Sequence, residues 1–234
     1  MKWWSVPYKR HFTSVIQFGH SSHNFITKGA DRDESHCIDY FGPDMQHYLV
    51  SSEYIDWKHP LVMAKAAELA SGCLTDEAVA KCCFDFVRDS IKHSGDYRLN
   101  PVTCKASEVL IHGTGFCCAK SHLLAALLRA NAIPAGLCYQ RLKVADDSRY
   151  YLHGLNAVYL KQHGWYRVDA RGNKIGVTAA FCPPIEKLPY PMLGALERNF
   201  SEIWPEPLPM VVNVLTQSKT VEQVFENLPD VEVI

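Results

Sequence analysis

The sequence predicts an α+β fold, with helices first in the chain and an antiparallel sheet after them. Three observations carry this. Apolar residues recur at helical spacing in successive segments up to Asn131. After Ile133-Pro134 the pattern changes to extended runs. Those runs are joined by tight connections, which suit antiparallel pairing, and helices followed by strands make the α+β layout.

Each element has its own signal. Residues 1–44 lack sustained periodicity and are rich in His, Ser, Asp and Gly. They are expected to form a poorly ordered N-terminal extension, with Met45 as a sensible alternative initiator and the folded domain over residues 45–234. YLVSSEYID, from Tyr48, reads as a short strand. His59-Pro60 then opens a helix, LVMAKAAELASG, that ends at Gly72. Thr75 is a good N-cap for TDEAVAKCCFDFVRDSIKH, with Asp76 and Glu77 in the first turn. Residues 104–112 make another short helix, broken by Gly113 and Gly115. The next begins near Cys117 and runs through SHLLAALLRAN. AGLCYQRL, YYLHGLNAVYL and GWYRVDARG read as three strands. Beyond Pro183-Pro184 the chain is Pro-rich, and TVEQVFENL reads as a final amphipathic helix.

Composition narrows the function classes. At 47% hydrophobic and 21% charged, the chain has the make-up of an ordinary globular protein rather than a disordered one. A formal net charge of -1 leaves no electrostatic footprint for nucleic acid. No stretch approaches the roughly 18 apolar residues that a membrane span needs. The N-terminus has no apolar h-region, so no secretory signal is expected. The nine cysteines are odd in number, with two adjacent pairs. Reduced thiols and a cytoplasmic location are therefore expected. Cys82-Cys83 and Cys117-Cys118, with His112 and His122, make no C-x-x-C and no paired ligand knuckle. Neither a metal site nor a cofactor is expected.

The chemistry concentrates in GTGFCCAKSHLLAALLRANAIPAG. A glycine-punctuated loop runs into a helix whose first residues are cysteines. A helix N-terminus offers unpaired N–H groups and positive potential, which favour a thiolate and can later hold an oxyanion. At about 100° per residue, Cys117 falls close to Leu124 and Leu128 on the apolar face. That face packs on the sheet, so Cys117 is expected to point there, with Cys118 a packed neighbour. His122 lies about 140° from Cys117 on the same wheel and is a poor base.

A base is expected on a facing strand. Alternation in YYLHGLNAVYL puts Tyr151, His153, Leu155, Ala157 and Tyr159 on one face. Asp169 ends the next strand, where a carboxylate can orient the imidazole. An even, four-residue loop over residues 161–164 would place His153 and Asp169 on opposite faces. A five-residue loop or a bulge at Gly164 would place them together, so an odd connection is predicted. The plain alternatives are a buried thiol for Cys117, a core histidine for His153, and a strand-end turn residue for Asp169 that bonds the Arg171-Gly172 backbone.

These residues resemble the transglutaminase-like family. GFCCAKSHLLAALLRANAIPAG is similar to its Gly-x-Cys helix start followed by Leu-Arg-Ala-x-x-Ile-Pro-Ala. A His-bearing strand and Trp165-x-x-x-Asp169 follow in the same order. The resemblance spans residues 60–172 and implies a papain/transglutaminase-like core, with the nucleophile at a helix N-terminus packed on the antiparallel sheet. It makes Cys117 the nucleophile, His153 the base and Asp169 the orienting acid. Ala132 stands where the family often has Gly. Gly154-Leu155-Asn156 replaces an Ala-Trp common after the His.

The resemblance further implies a cysteine-nucleophile hydrolase acting on amide, peptide or isopeptide bonds. Related folds often add a side-chain oxyanion donor, for which Tyr97 and Gln140 are candidates, while Lys120 is expected to line the cleft. Three other readings stand beside it. One is an acyltransferase of the arylamine N-acetyltransferase kind, although its Arg-Gly-Gly-x-Cys lead-in is absent. Another is a transamidating transglutaminase. The third is a catalytically idle binding module. Residues 183–234 are expected to form a lid or substrate wall.

Overall fold

The computed structural model describes residues 43–144 and 148–234. The expected extension over residues 1–44 lies outside them, except for the two residues that open a one-turn helix, α1 (Pro43–Gln46). Helix α2 (Pro60–Ala70) starts on a proline whose missing N–H would have had no partner, and the His59 ring accepts from the Leu61 N–H. Helix α3 (Asp76–Ser90) is capped by Thr75, whose hydroxyl accepts from the Ala78 N–H at 3.1 Å.

Two local readings differ from expectation. Tyr48–Asp56 is not a strand. Ser52 Oγ accepts the Ile55 N–H, and the Ser52 N–H donates to the Ile55 carbonyl, each at 3.2 Å, so the segment turns on itself. Helix α3 also stops before Ile91. Lys92–His93 become strand β1, paired in parallel with β2 (Thr114–Gly115), with His93 opposite Gly115. Between them lie α4 (Ser94–Tyr97) and α5 (Ala106–His112). This small pairing ties the end of α3 to the loop just ahead of Cys117.

Helix α6 (Cys117–Ala130) is the centre of the domain, buried from Cys117 through Arg129. Helices α2, α3 and α5 and the sheet all pack against it. Its polar side chains therefore bond inward. Arg129 donates to the carbonyls of Ala135 and Val50, and Lys120 Nζ to that of Ile91. Such pairing is what makes a buried cation tolerable.

The sheet has the order β5-β4-β3-β6, all antiparallel, from β3 (Ala135–Lys143), β4 (Tyr150–Leu160), β5 (Gly164–Val168) and β6 (Arg198–Asn199). Leu137, Tyr139, Leu152 and Val158 face the main core, and Cys138, Leu155 and Ala157 pack into a second, smaller one with Trp165, Leu188 and Ile203. By strand alternation His153 shares the face of Leu155 and Ala157. The C-terminal part holds α7 (Pro209–Gln217) and α8 (Val221–Glu226). Only α8 was expected, because Pro205, Pro207 and Pro209 at its start masked the Val211 and Leu215 pair that α7 buries.

Gly154 fixes how closely α6 approaches β4. A Cβ added there would stand 2.8 Å from Cys118 Cα and 2.7 Å from its Sγ. Cys118, not Cys117, is thus the residue lying directly on the strand. This accounts for glycine where the resembled family commonly has Ala. Gly154→Ala should destabilise the fold by about 1–3 kcal/mol, the usual cost of overpacking a tight contact, as read by chemical denaturation.

Candidate active site

The β4–β5 connection decides what His153 can reach. Leu160 pairs with Gly164 and Asn156 with Val168, leaving the three residues Lys161–His163 as the loop. The connection is odd, as expected, and shorter than five residues. Gly164, at φ +70, supplies the left-handed residue that closes such a turn. Extending this register puts Asp169 on the face of His153, and His153 Nε2 meets Asp169 Oδ2 at 2.5 Å. The other Asp169 oxygen, Oδ1, accepts the Arg171 N–H at 2.9 Å. With Nε2 engaged, Nδ1 is the ring nitrogen left for a partner.

Cys117, the first residue of α6, is buried beside the His153 imidazole, which helps to lower its thiol pKa. Cys117 is 8% exposed, His153 2% and Asp169 1%, so the three groups meet in a nearly closed space. Part of the cover is Tyr190, whose ring stands edge-on to His153 with 5.0 Å between centroids. Tyr190 belongs to an irregular stretch inside the expected lid region.

The other sequence candidates separate. Gln140 sits directly across from His153 in the sheet. Its amide donates to Asn199 Oδ1 at 2.6 Å. Its Oε1 is buried without a partner among the described residues. Tyr97 is 60% exposed, under the Lys92 ammonium, and touches none of the three groups. Lys120 does not line a cleft: it is fully buried and bonded to Ile91, because the helix that carries it is buried all round. His122 hydrogen-bonds the Cys104 carbonyl through Nδ1 at 2.7 Å, inside the core.

Four further residues complete the surroundings, and the sequence reading assigned none of them. His93 pairs opposite Gly115 and its ring meets Phe116, the neighbour of Cys117, which lets the imidazole help to lower the thiol pKa. Arg171 is buried, pairs with Asp96 Oδ2 at 2.7 Å and lies over the Tyr190 ring. Asp-x-Arg at a strand end was a usable signal for Arg171. His93 read as the basic end of a helix, and nothing local linked it to Cys117.

Residues 63–170 match the model of the transglutaminase-like superfamily. They form a transglutaminase-like domain. Comparison with curated proteins finds no match. Among solved structures, the chain is similar to a proposed cysteine protease from Cytophaga hutchinsonii, at 19% identity and a TM-score of 0.47, covering 57% of this chain and 44% of that one. It is similar also to the periplasmic domain of TgpA from Pseudomonas aeruginosa, at 17% identity and a TM-score of 0.42, covering 56% of this chain and 48% of that one. Red sea bream transglutaminase matches at 11% identity and a TM-score of 0.42, covering 56% of this chain and 32% of that one. The chain thus spans less than half the length of each.

In the transglutaminase-like domain the charges favour a thiolate. A hydrogen bond from Cys118, whose Sγ lies 4.0 Å away, holds the Cys117 thiol well below its ordinary range; burial opposes this, and the His153 charge and the two imidazole hydrogen bonds add to it. The Cys118 thiol is pushed up in turn, so it keeps its proton and donates. Burial alone would lower His153, but the Asp169 carboxylate and the Cys117 thiolate raise it to about 10. Both shifts favour the charged forms, a thiolate on Cys117 and an imidazolium on His153. Alkylation of Cys117 by iodoacetamide, followed by peptide mapping, should therefore stay fast below the ordinary thiol pKa of about 8.5. Because Cys118 and His153 both favour the thiolate, Cys118→Ala and His153→Ala should each move the midpoint upward in pH. An unmoved midpoint in both variants would count against the pair.

Proposed function

We propose that the domain is a cysteine-nucleophile hydrolase acting on amide, peptide or isopeptide bonds, with Cys117, His153 and Asp169 as its catalytic triad. Membership of the transglutaminase-like superfamily supports a cysteine-type hydrolase or transamidase. The observation that carries the finer reading is the His153–Asp169 hydrogen bond, held at 2.5 Å beside a thiol at the start of α6.

The Cys117 thiolate adds to the substrate carbonyl carbon, and the negative charge moves to the carbonyl oxygen. The His153 imidazolium passes its proton to the leaving nitrogen, the C–N bond breaks, and a thioester remains on Cys117. His153, now neutral, takes a proton from water as the water attacks the thioester. Collapse releases the acid and restores the thiolate. Asp169 keeps the imidazole in one orientation and stabilises its charged form. An amine in place of water would give transamidation by the same steps.

The expected partner is a peptide or amide substrate, which must displace part of the cover that Tyr190 provides. We assign that movement to the irregular chain of residues 183–197. All eight cysteines among the described residues are free, which supports a reducing, cytoplasmic setting. No helix among the described residues is long and apolar enough to cross a membrane.

Profiling with a peptide and amide library should yield cleaved products with the wild type. Cys117→Ala should lose turnover by about 10³-fold or more, and Asp169→Asn by about 10²–10⁴-fold. Wild-type turnover by Cys117→Ala would sink the assignment. Substrate consumed only when an amine is supplied would transfer it to a transamidase.

A further inference from the structure

The second imidazole at Cys117 has a different origin and a different electrostatic setting from the first. Strand β1 places His93 opposite Gly115, two positions ahead of Cys117. Its ring meets Phe116 edge-on with 5.7 Å between centroids. Nδ1 accepts the Asp96 N–H at 3.3 Å, which puts the ring proton on Nε2. Asp96 is itself held by Arg171 at 2.7 Å and Lys174 at 2.6 Å, and the Arg171 N–H is held by Asp169. His93 is therefore anchored to the scaffold that orients Asp169.

A second general base would duplicate His153, and the surroundings of His93 do not make one. His153 faces a carboxylate that stabilises its charged form. Burial pushes the His93 pKa down, the backbone N–H at Nδ1 stabilises the neutral ring, and the Asp96 carboxylate 3.8 Å from Nδ1 and the Cys117 thiol offset the burial only in part. Two titratable groups driven apart by their environments take different roles. A neutral imidazole with its proton on Nε2 is a hydrogen-bond donor. Beside a nucleophile, the place for such a donor is where negative charge develops.

We propose that His93 is a further catalytic residue, whose Nε2–H donates to the oxyanion formed when Cys117 adds to a substrate carbonyl, together with the Cys117 backbone N–H at the start of α6. The assignment rests on the hydrolase reading. It also gives a reason for the parallel β1–β2 pairing, which ties His93 to the strand leading into Cys117.

Two reagents separate this role from support of the thiolate. Acetylation of Cys117 by p-nitrophenyl acetate forms an S–C bond, passes through a tetrahedral oxyanion and expels p-nitrophenolate. Alkylation by iodoacetamide forms an S–C bond by displacing iodide and makes no oxyanion. Both rates are measured on the full chain at a pH where Cys117 is ionised, for wild type, His93→Leu, His93→Met and His93→Gln, using variants whose circular dichroism matches wild type. Removing the donor, in either the Leu or the Met variant, should slow acetylation by about 10²-fold or more, the usual loss of one oxyanion donor, and leave alkylation nearly unchanged. His93→Gln, which keeps an N–H donor, should recover much of the acetylation rate. Parallel loss of both rates would assign His93 to the thiolate or the fold and overturn the proposal. Unchanged acetylation would also overturn it, while leaving the hydrolase reading intact. A wild type that acquires no acetyl group on Cys117 would overturn both.

Discussion

The arrangement at Cys117 depends first on the register between β4 and β5. Side chains alternate across a strand, so a slip of one residue would send Asp169 to the opposite face from His153. The three-residue turn, with Gly164 at φ +70, holds the register in which they meet. The packing enforces the same choice. Val158 and Leu160 lie in the main core while Leu155 and Ala157 lie in the smaller one, and a slipped strand would exchange these sets. The hydrogen bond between His153 and Asp169 thus inherits its precision from apolar burial on both faces of the sheet and from one left-handed glycine.

A second constraint comes from the depth of α6. A helix buried on every side must place its polar residues against internal partners, and this one carries Lys120, Ser121, His122 and Arg129. Each has a bond to a backbone carbonyl: Ile91, Cys117, Cys104 and Ala135 respectively. The bonds of Lys120, His122 and Arg129 stitch the helix to the residue before β1, to the segment ahead of α5 and to β3, so the position of its first residue is set from several directions. Gly154 then allows the first turn to settle on β4. A thiol placed so firmly needs little reorganisation to meet a carbonyl carbon, which is the structural content of preorganisation.

Much of this was legible in the residues, and the limits have physical causes. Cys117, His153 and Asp169 stand in segments whose local pattern is strong: a glycine loop before a helix, an alternating strand and a strand end. The bounds of β4 coincide with YYLHGLNAVYL. The odd turn followed from parity alone. Local pattern failed where a side chain or a distant strand overrode it. Ser52 turned an apparent strand into a bend. The pairing of Lys92–His93 with Thr114–Gly115 ended α3 early and carried His93 beside the segment leading into Cys117, a juxtaposition no local spacing encodes. Lys120 read as a cleft residue because a lysine near a helix start is ordinarily exposed. Only the depth of burial around α6 reverses that.

Asp169 shows that the plain and the chemical readings of a residue need not compete. As a strand-end aspartate it was expected to hold the turn that follows, and Oδ1 does so through the Arg171 N–H. Oδ2 is left for His153. Holding the turn fixes the carboxylate's rotation, and a fixed carboxylate can fix an imidazole. The same turn brings Arg171 to Asp96, and Asp96 presents its N–H to His93. One structural hydrogen bond at the end of β5 therefore orients both rings that reach Cys117, one through a carboxylate and one through a backbone amide. Burial lowers His93, and the Asp169 carboxylate raises His153 against the same burial, so two identical side chains take opposite protonation preferences within one small site.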